Sequence, residues 1–162
     1  MKTTIDLNTG LIYLGEIKFR VSCNVRSLRN RTRNKDEVVR TIPGGRPYDP
    51  LPFPKGNWRI TAVEWWRIME NGRENFDKNV YGPCKIRTDA WQQVKIWALD
   101  FDGDYAYETD QTDNDSGYLI HYSKSKTTLG CIRSESEDDI SIIGRMIEPI
   151  LALEDFIDLE VL

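Results

Sequence analysis

His121-Tyr122-Ser123-Lys124-Ser125-Lys126-Thr127-Thr128-Leu129-Gly130-Cys131-Ile132-Arg133 carries the single histidine of the chain and one of its three cysteines. A cysteine sulfur attacks a carbonyl effectively only as thiolate, and an ordinary thiol ionises near pH ~8.5. An imidazole within reach takes that proton and makes a thiolate–imidazolium pair near neutral pH. The apolar run Tyr118-Leu119-Ile120 reads as a strand that delivers His121. A short loop from its end would return Cys131 to the same pocket. Gly130 leaves room for a substrate carbonyl, and backbone N–H groups around Cys131 would hold a developing oxyanion. Arg133 puts a permanent cation in or beside that pocket. A lone histidine and a small buried cysteine also occur together in ordinary cores, so spacing alone leaves both readings open.

Downstream, Ser134-Glu135-Ser136-Glu137-Asp138-Asp139 is rich in residues that cap a helix and complement its dipole. Ile140, Ile143, Ile147, Ile150 and Leu151 follow at helical spacing, with Gly144 weakening the helix and Pro149 expected to limit its end. Phe156 to Leu162 alternates as a closing strand.

Upstream the pattern is β. Asn8-Thr9-Gly10 is a turn between Thr4–Leu7 and Leu11–Leu14. Ile17, Phe19, Val21, Cys23 and Val25 then alternate with polar residues, which puts Cys23 on the packed face of a half-buried strand. The basic run Arg26 to Arg40 has no aromatic residues for base stacking and reads as a solvated loop. The Pro/Gly-rich stretch 42–54 reads as an irregular surface excursion. Trp58 to Trp66 reads as a strand, and Trp91 to Leu99 fits strand and helix templates alike. The five tryptophans suit core and half-core positions better than a sugar-stacking platform. Cys84 reads as structural. The acidic residues Asp100, Asp102, Asp104, Glu108, Asp110, Asp113 and Asp115 match only part of a calcium loop, and Asp102-Gly103 is explained as well by a hairpin turn.

The totals narrow the function. A chain of 162 residues suits one domain, 1–162, with a real core. A net charge of −4 favours neither nucleic acid nor an anionic membrane as partner, and no apolar run is long enough to span a bilayer. The first residues alternate and turn too early for the apolar core of a signal peptide. With one histidine and no CxxC pair, a structural zinc site is not expected, and covalent catalysis would need no cofactor.

Thr128, Gly130, Cys131, Ile132 and Arg133, with His121 upstream, resemble the signature of the L,D-transpeptidase catalytic domain, or YkuD domain. That signature is a histidine, a variable loop, then Ser/Thr-His-Gly-Cys-hydrophobic-Arg/Asn. Phe53-Pro54-Lys55-Gly56-Asn57-Trp58-Arg59-Ile60 is similar to the family's Pro-x-Gly strand start. The resemblance implies a mainly β fold, a sandwich or flattened barrel with one C-terminal helix. It implies Cys131 as nucleophile, His121 as general base and acid, and Gly130 in the oxyanion hole. Arg133, Thr128 and Tyr122 would contact substrate, and a backbone carbonyl near Tyr122 would orient His121. The substrate would be a peptidoglycan tetrapeptide stem in the periplasm or cell envelope, cleaved through a thioester.

Three departures from the pattern stand out. Leu129 replaces the family's second histidine, Tyr122 follows His121 in place of glycine or serine, and the His-to-Cys loop is short. Short-loop relatives include envelope-attacking effectors of type VI secretion, a role that would bring a secretion machine and an immunity protein as partners. The departures also keep open a non-catalytic wall-binding module on the same fold, or a thiol hydrolase with another acyl substrate.

Overall fold

The computed structural model describes residues 1–23, 41–42, 46–47, 53, 55–90, 94–99, 106–111, 118–124 and 131–162. In chain order its strands are β1 (Thr3–Asp6), β2 (Leu11–Leu14), β3 (Ile17–Ser22), β4 (Thr41–Ile42), β5 (Arg46–Pro47) and β6 (Gly56–Trp65). The short helix α1 (Lys78–Tyr81) precedes β7 (Cys84–Ala90), β8 (Val94–Leu99), β9 (Ala106–Gln111), β10 (Leu119–Tyr122) and β11 (Ile132–Ser134). The helix α2 (Glu137–Leu153) and β12 (Ile157–Val161) end the chain.

Eight strands close into a barrel in the order β1-β12-β6-β7-β10-β11-β3-β2. Its neighbours are antiparallel except β1 with β12 and β10 with β11. β4 pairs with β5 and β8 with β9 as separate two-stranded sheets, which gives the ambiguous Trp91–Leu99 stretch its strand over Val94–Leu99. The architecture is the mainly β barrel with one C-terminal helix that the sequence led us to expect.

Local chemistry explains the elements. The first hairpin turns where Asp6 Oδ1 accepts the N–H groups of Asn8 (2.9 Å) and Thr9 (3.2 Å), and Gly10 takes φ 69°. In β3 the alternation puts Val21 in the core and Phe19 and Cys23 against it. Ile17, expected on that face, is instead 52% exposed, because the strand starts there at the barrel rim. Trp58, Phe53 and Tyr118 form an aromatic knot in the core, with ring centroids 4.7 to 5.7 Å apart. Trp65 and Trp66 are half-buried and donate through Nε1 to Glu148 (2.7 Å) and Glu74 (3.2 Å).

Helix α2 is capped by Ser136, whose Oγ accepts the Asp139 N–H at 3.0 Å, with Glu137, Asp138 and Asp139 in its first turn. Its buried stripe of Ile140, Ile143, Gly144 and Ile147 packs on β6, β7, β10 and β11. Pro149 does not limit this helix, which runs on to Leu153. The proline forfeits one N–H bond, but the helix's packing on the barrel and the bond from Glu154 N–H to Ile150 O (2.8 Å) close the last turn. Gly144 lets α2 approach the sheet: a Cβ there would lie 3.2 Å from both Cys84 Sγ and the Trp65 ring. Among the described residues, no helix is long and apolar enough to cross a membrane.

Candidate active site

The register of the barrel builds one polar row across its outer face. Glu64 on β6 pairs with Lys85 on β7, Lys85 with His121 on β10, His121 with Arg133 on β11, and Arg133 with Ser22 on β3. Side chains alternate along a strand, so paired residues share a face. The intervening Ile86, Ile120 and Ile132 all point into the core and are fully buried. Cys131 stands just before β11, and its thiol takes a backbone hydrogen bond from Leu119. Two residues farther along β10, about 7 Å in rise, stands His121.

His121 is only 5% exposed. Its Nδ1 lies 2.9 Å from the Tyr122 carbonyl oxygen, the backbone group expected to orient it. A carbonyl only accepts, so Nδ1 carries the proton and Nε2 holds the lone pair of the neutral ring. Tyr81 at the end of α1 covers the imidazole edge-on, with centroids 5.1 Å apart. Asp77 caps that short helix by accepting the Asn79 N–H at 2.9 Å, and Gly82 ends it at φ 72°. The glycine is required there: a Cβ would come within 2.8 Å of Tyr122 Cβ. Tyr122 itself lies half-buried against the core, with the Arg133 guanidinium 5.7 Å from its ring centroid.

Arg133 Nε donates to Ser123 O at 2.8 Å, so this side chain ties the departing end of β10 to β11. Of its five donors, that bond uses one. Lys85 is the cation that the sequence reading did not single out. Its Nζ sits 4.1 Å from the Tyr81 ring centroid and 4.6 Å from that of Phe76, beside the edge-on Phe76–Tyr81 pair. The period-two run Cys84 to Ala90 held the signal, since it sets Lys85 and Arg87 on one face and Cys84 and Ile86 on the other. Arg87 is engaged by Glu64 through Nε (3.1 Å) and Nη2 (2.7 Å).

Burial drives the electrostatics. It lowers the His121 pKa below its usual 6.5, with the Tyr122 hydrogen bond opposing and Lys85 and Arg133 assisting. It pushes the Cys131 thiol up to about 11, against the Leu119 hydrogen bond and the Lys85 charge, with Cys23 adding to the rise. Both shifts oppose the thiolate–imidazolium pair that the sequence suggests. Desolvation disfavours both charges at once, and it outweighs the local hydrogen bonds.

The other thiols are packed ones. Cys84 is fully buried, donates to Ile140 O at 3.5 Å and is pushed up to about 12, chiefly by burial. Cys23 Sγ accepts the Phe53 N–H at 3.2 Å. Among the described residues no cysteine is in a disulfide, and no group of three His, Cys, Asp or Glu side chains converges on a metal site. Thr128, Leu129, Gly130, Pro54, the basic run 26–40 and most of the acidic cluster lie outside the described residues.

The family model of the L,D-transpeptidase catalytic domain (YkuD) matches residues 24–147, more than half of the 162-residue chain. No curated protein and no solved structure matches it. The matched span takes in the strand that carries His121, the strand that Cys131 precedes, and the Gly56 start of β6. The chain belongs to the L,D-transpeptidase catalytic-domain family, enzymes of the cell wall.

Proposed function

We propose that residues 1–162 form a single catalytic domain, a cysteine-dependent peptidoglycan L,D-transpeptidase of the cell envelope that acts on tetrapeptide stems. The observation that carries this reading is the orientation of His121, whose Nδ1 lies 2.9 Å from the Tyr122 carbonyl oxygen. Its Nδ1–H is held by the Tyr122 carbonyl, which leaves Nε2 as a base on the strand beside Cys131. A burial-lowered pKa keeps that base neutral at pH 7.

On substrate binding, His121 Nε2 takes the Cys131 proton as Sγ attacks the carbonyl of the residue before the terminal D-alanine. Backbone N–H groups near Gly130 hold the oxyanion. The C–N bond then breaks, the D-alanine amine leaves with the proton from His121, and a thioester remains on Cys131. An amine of a second stem, a free D-amino acid or water resolves it, giving a cross-link, an exchange or a carboxypeptidase product. Arg133 is the carboxylate contact, since its guanidinium keeps donors beyond the Ser123 bond. Thr128 and Tyr122 are the further substrate contacts that the family resemblance implies.

The burial that raises the Cys131 pKa favours one competing reading, a wall-binding module without turnover. Mass spectrometry after incubation with purified tetrapeptide stems separates the two. Turnover requires loss of D-alanine and an acyl adduct at Cys131. Binding without either product, or full activity in Cys131→Ala, would end the transpeptidase reading.

A further inference from the structure

We infer that Lys85 is a positioning residue for the proposed Cys131–His121 chemistry: a cation seated on Phe76 and Tyr81 that favours the deprotonated form of both groups. The inference rests on the reading of Cys131 and His121 as the reacting pair, but its physical content is testable without any substrate.

The geometry carries it. Lys85 and His121 are direct cross-strand partners, so their side chains leave the same face of adjacent strands. The Tyr81 ring contacts both functions, with the ammonium at 4.1 Å and the imidazole edge-on at 5.1 Å. Phe76, edge-on to Tyr81 with centroids 5.8 Å apart, adds a second ring 4.6 Å from the ammonium. Two ring faces thereby hold a side chain that would otherwise roam with its full rotamer freedom. Asp77 and Gly82 cap the short helix whose last residue is Tyr81.

The surrounding charges decide what that cation does. Lys85 faces Glu64 from β6, Arg87 on its own strand, and Cys131. Glu64 is bonded to Arg87, so it is shared with a second cation. Around Cys131 stand Cys23, Tyr118 and Lys85, and around His121 stand Lys85 and Arg133. Lys85 is thus the cation common to both reacting groups. It stabilises a thiolate at Cys131 and opposes an imidazolium at His121. The proton that leaves Sγ is accepted by Nε2 but poorly retained there, which commits it onward to the leaving amine. A cation acting only on the thiol would favour the ion pair; one acting on both drives proton delivery.

The chain's single histidine makes the test direct, because its imidazole gives one unambiguous NMR signal. Alkylation of Cys131 by iodoacetamide, read by peptide mass spectrometry from pH 6 to 10, reports the thiol. In Lys85→Met, Cys131 should alkylate roughly fivefold more slowly at a fixed pH near 8, from the tenfold-per-unit relation. The His121 titration midpoint should move up in the same variant. Lys85→Arg should return both toward the parent protein. Phe76→Leu, which keeps the charge and loosens its seat, should move both in the same directions by less. Should Lys85→Met fail to fold, the Phe76→Leu pair of profiles decides. Profiles unchanged by these substitutions would overturn the inference, as would a change in only one of the two groups. Profiles that shift as described in a protein inert toward tetrapeptide stems would sink the transpeptidase reading alone; unchanged profiles in an active enzyme would sink the role of Lys85 alone.

Discussion

Replacing Gly82 by alanine should cost this protein about 3 kcal/mol and disturb His121 without touching it. Gly82 adopts φ 72° and ψ −156°, a region essentially closed to residues with a side chain, and entering it costs about 1–3 kcal/mol. The new methyl would also meet Tyr122 Cβ at 2.8 Å and Cδ1 at 3.0 Å. Cβ is anchored to the backbone, so Tyr122 cannot yield by a rotamer change, and forced repacking of this kind costs about 1–3 kcal/mol. For a chain of this size a loss of about 3 kcal/mol corresponds to roughly 6–12 °C in Tm. The displaced residue is the one whose carbonyl fixes His121 Nδ1–H. The imidazole signal should therefore shift and broaden together with the loss of stability. Urea unfolding and the histidine NMR signal of Gly82→Ala check both. A variant within about 0.5 kcal/mol of the parent, with an unmoved imidazole signal, would refute the account of this turn.

Gly144→Ala tests the approach of α2: helix propensity alone promises about 1 kcal/mol of stabilisation, whereas contacts of 3.2 Å with Cys84 Sγ and Trp65 predict a net loss, read by urea midpoint. The buried thiols make the fold sensitive to alkali. The unfolded chain releases their protons near pH 9.0 while folded Cys131 and Cys84 hold theirs to about 11 and about 12, so stability is full below pH 9 and falls above it. Cys84→Ala should flatten that alkaline fall in a series of urea midpoints, and an unchanged slope would count against burial as the cause. His121 acts at the other end: its lowered pKa means stability is full above pH 6.5 and declines as acid charges the unfolded histidine first. His121→Gln should remove that part of the acid dependence. Ser136→Ala should lose about 1 kcal/mol through the Asp139 N–H left without its cap.

Much of this protein was legible in the sequence because its information there is local. Strand alternation around Val21, the Asn8–Gly10 turn, the Ser136 cap and the isoleucine stripe of α2 each depend on residues within one or two turns of chain. The stretch Thr128, Gly130, Cys131, Ile132 and Arg133 after His121 was equally local, and its resemblance to a known signature pointed to the family. Where the sequence misled, tertiary contacts overrode a local preference: packing carries α2 through Pro149, and the rim of the barrel exposes Ile17. What only the tertiary structure decided is which residues stand beside His121. Register brings Lys85 from 36 positions upstream to its flank, and Tyr81 onto its ring. Period-two alternation tells which face a side chain takes, but not which strand will lie next to it. Nor could composition give the charge states of the site. Those follow from how far Cys131 and His121 are taken out of water, and burial belongs to the assembled fold.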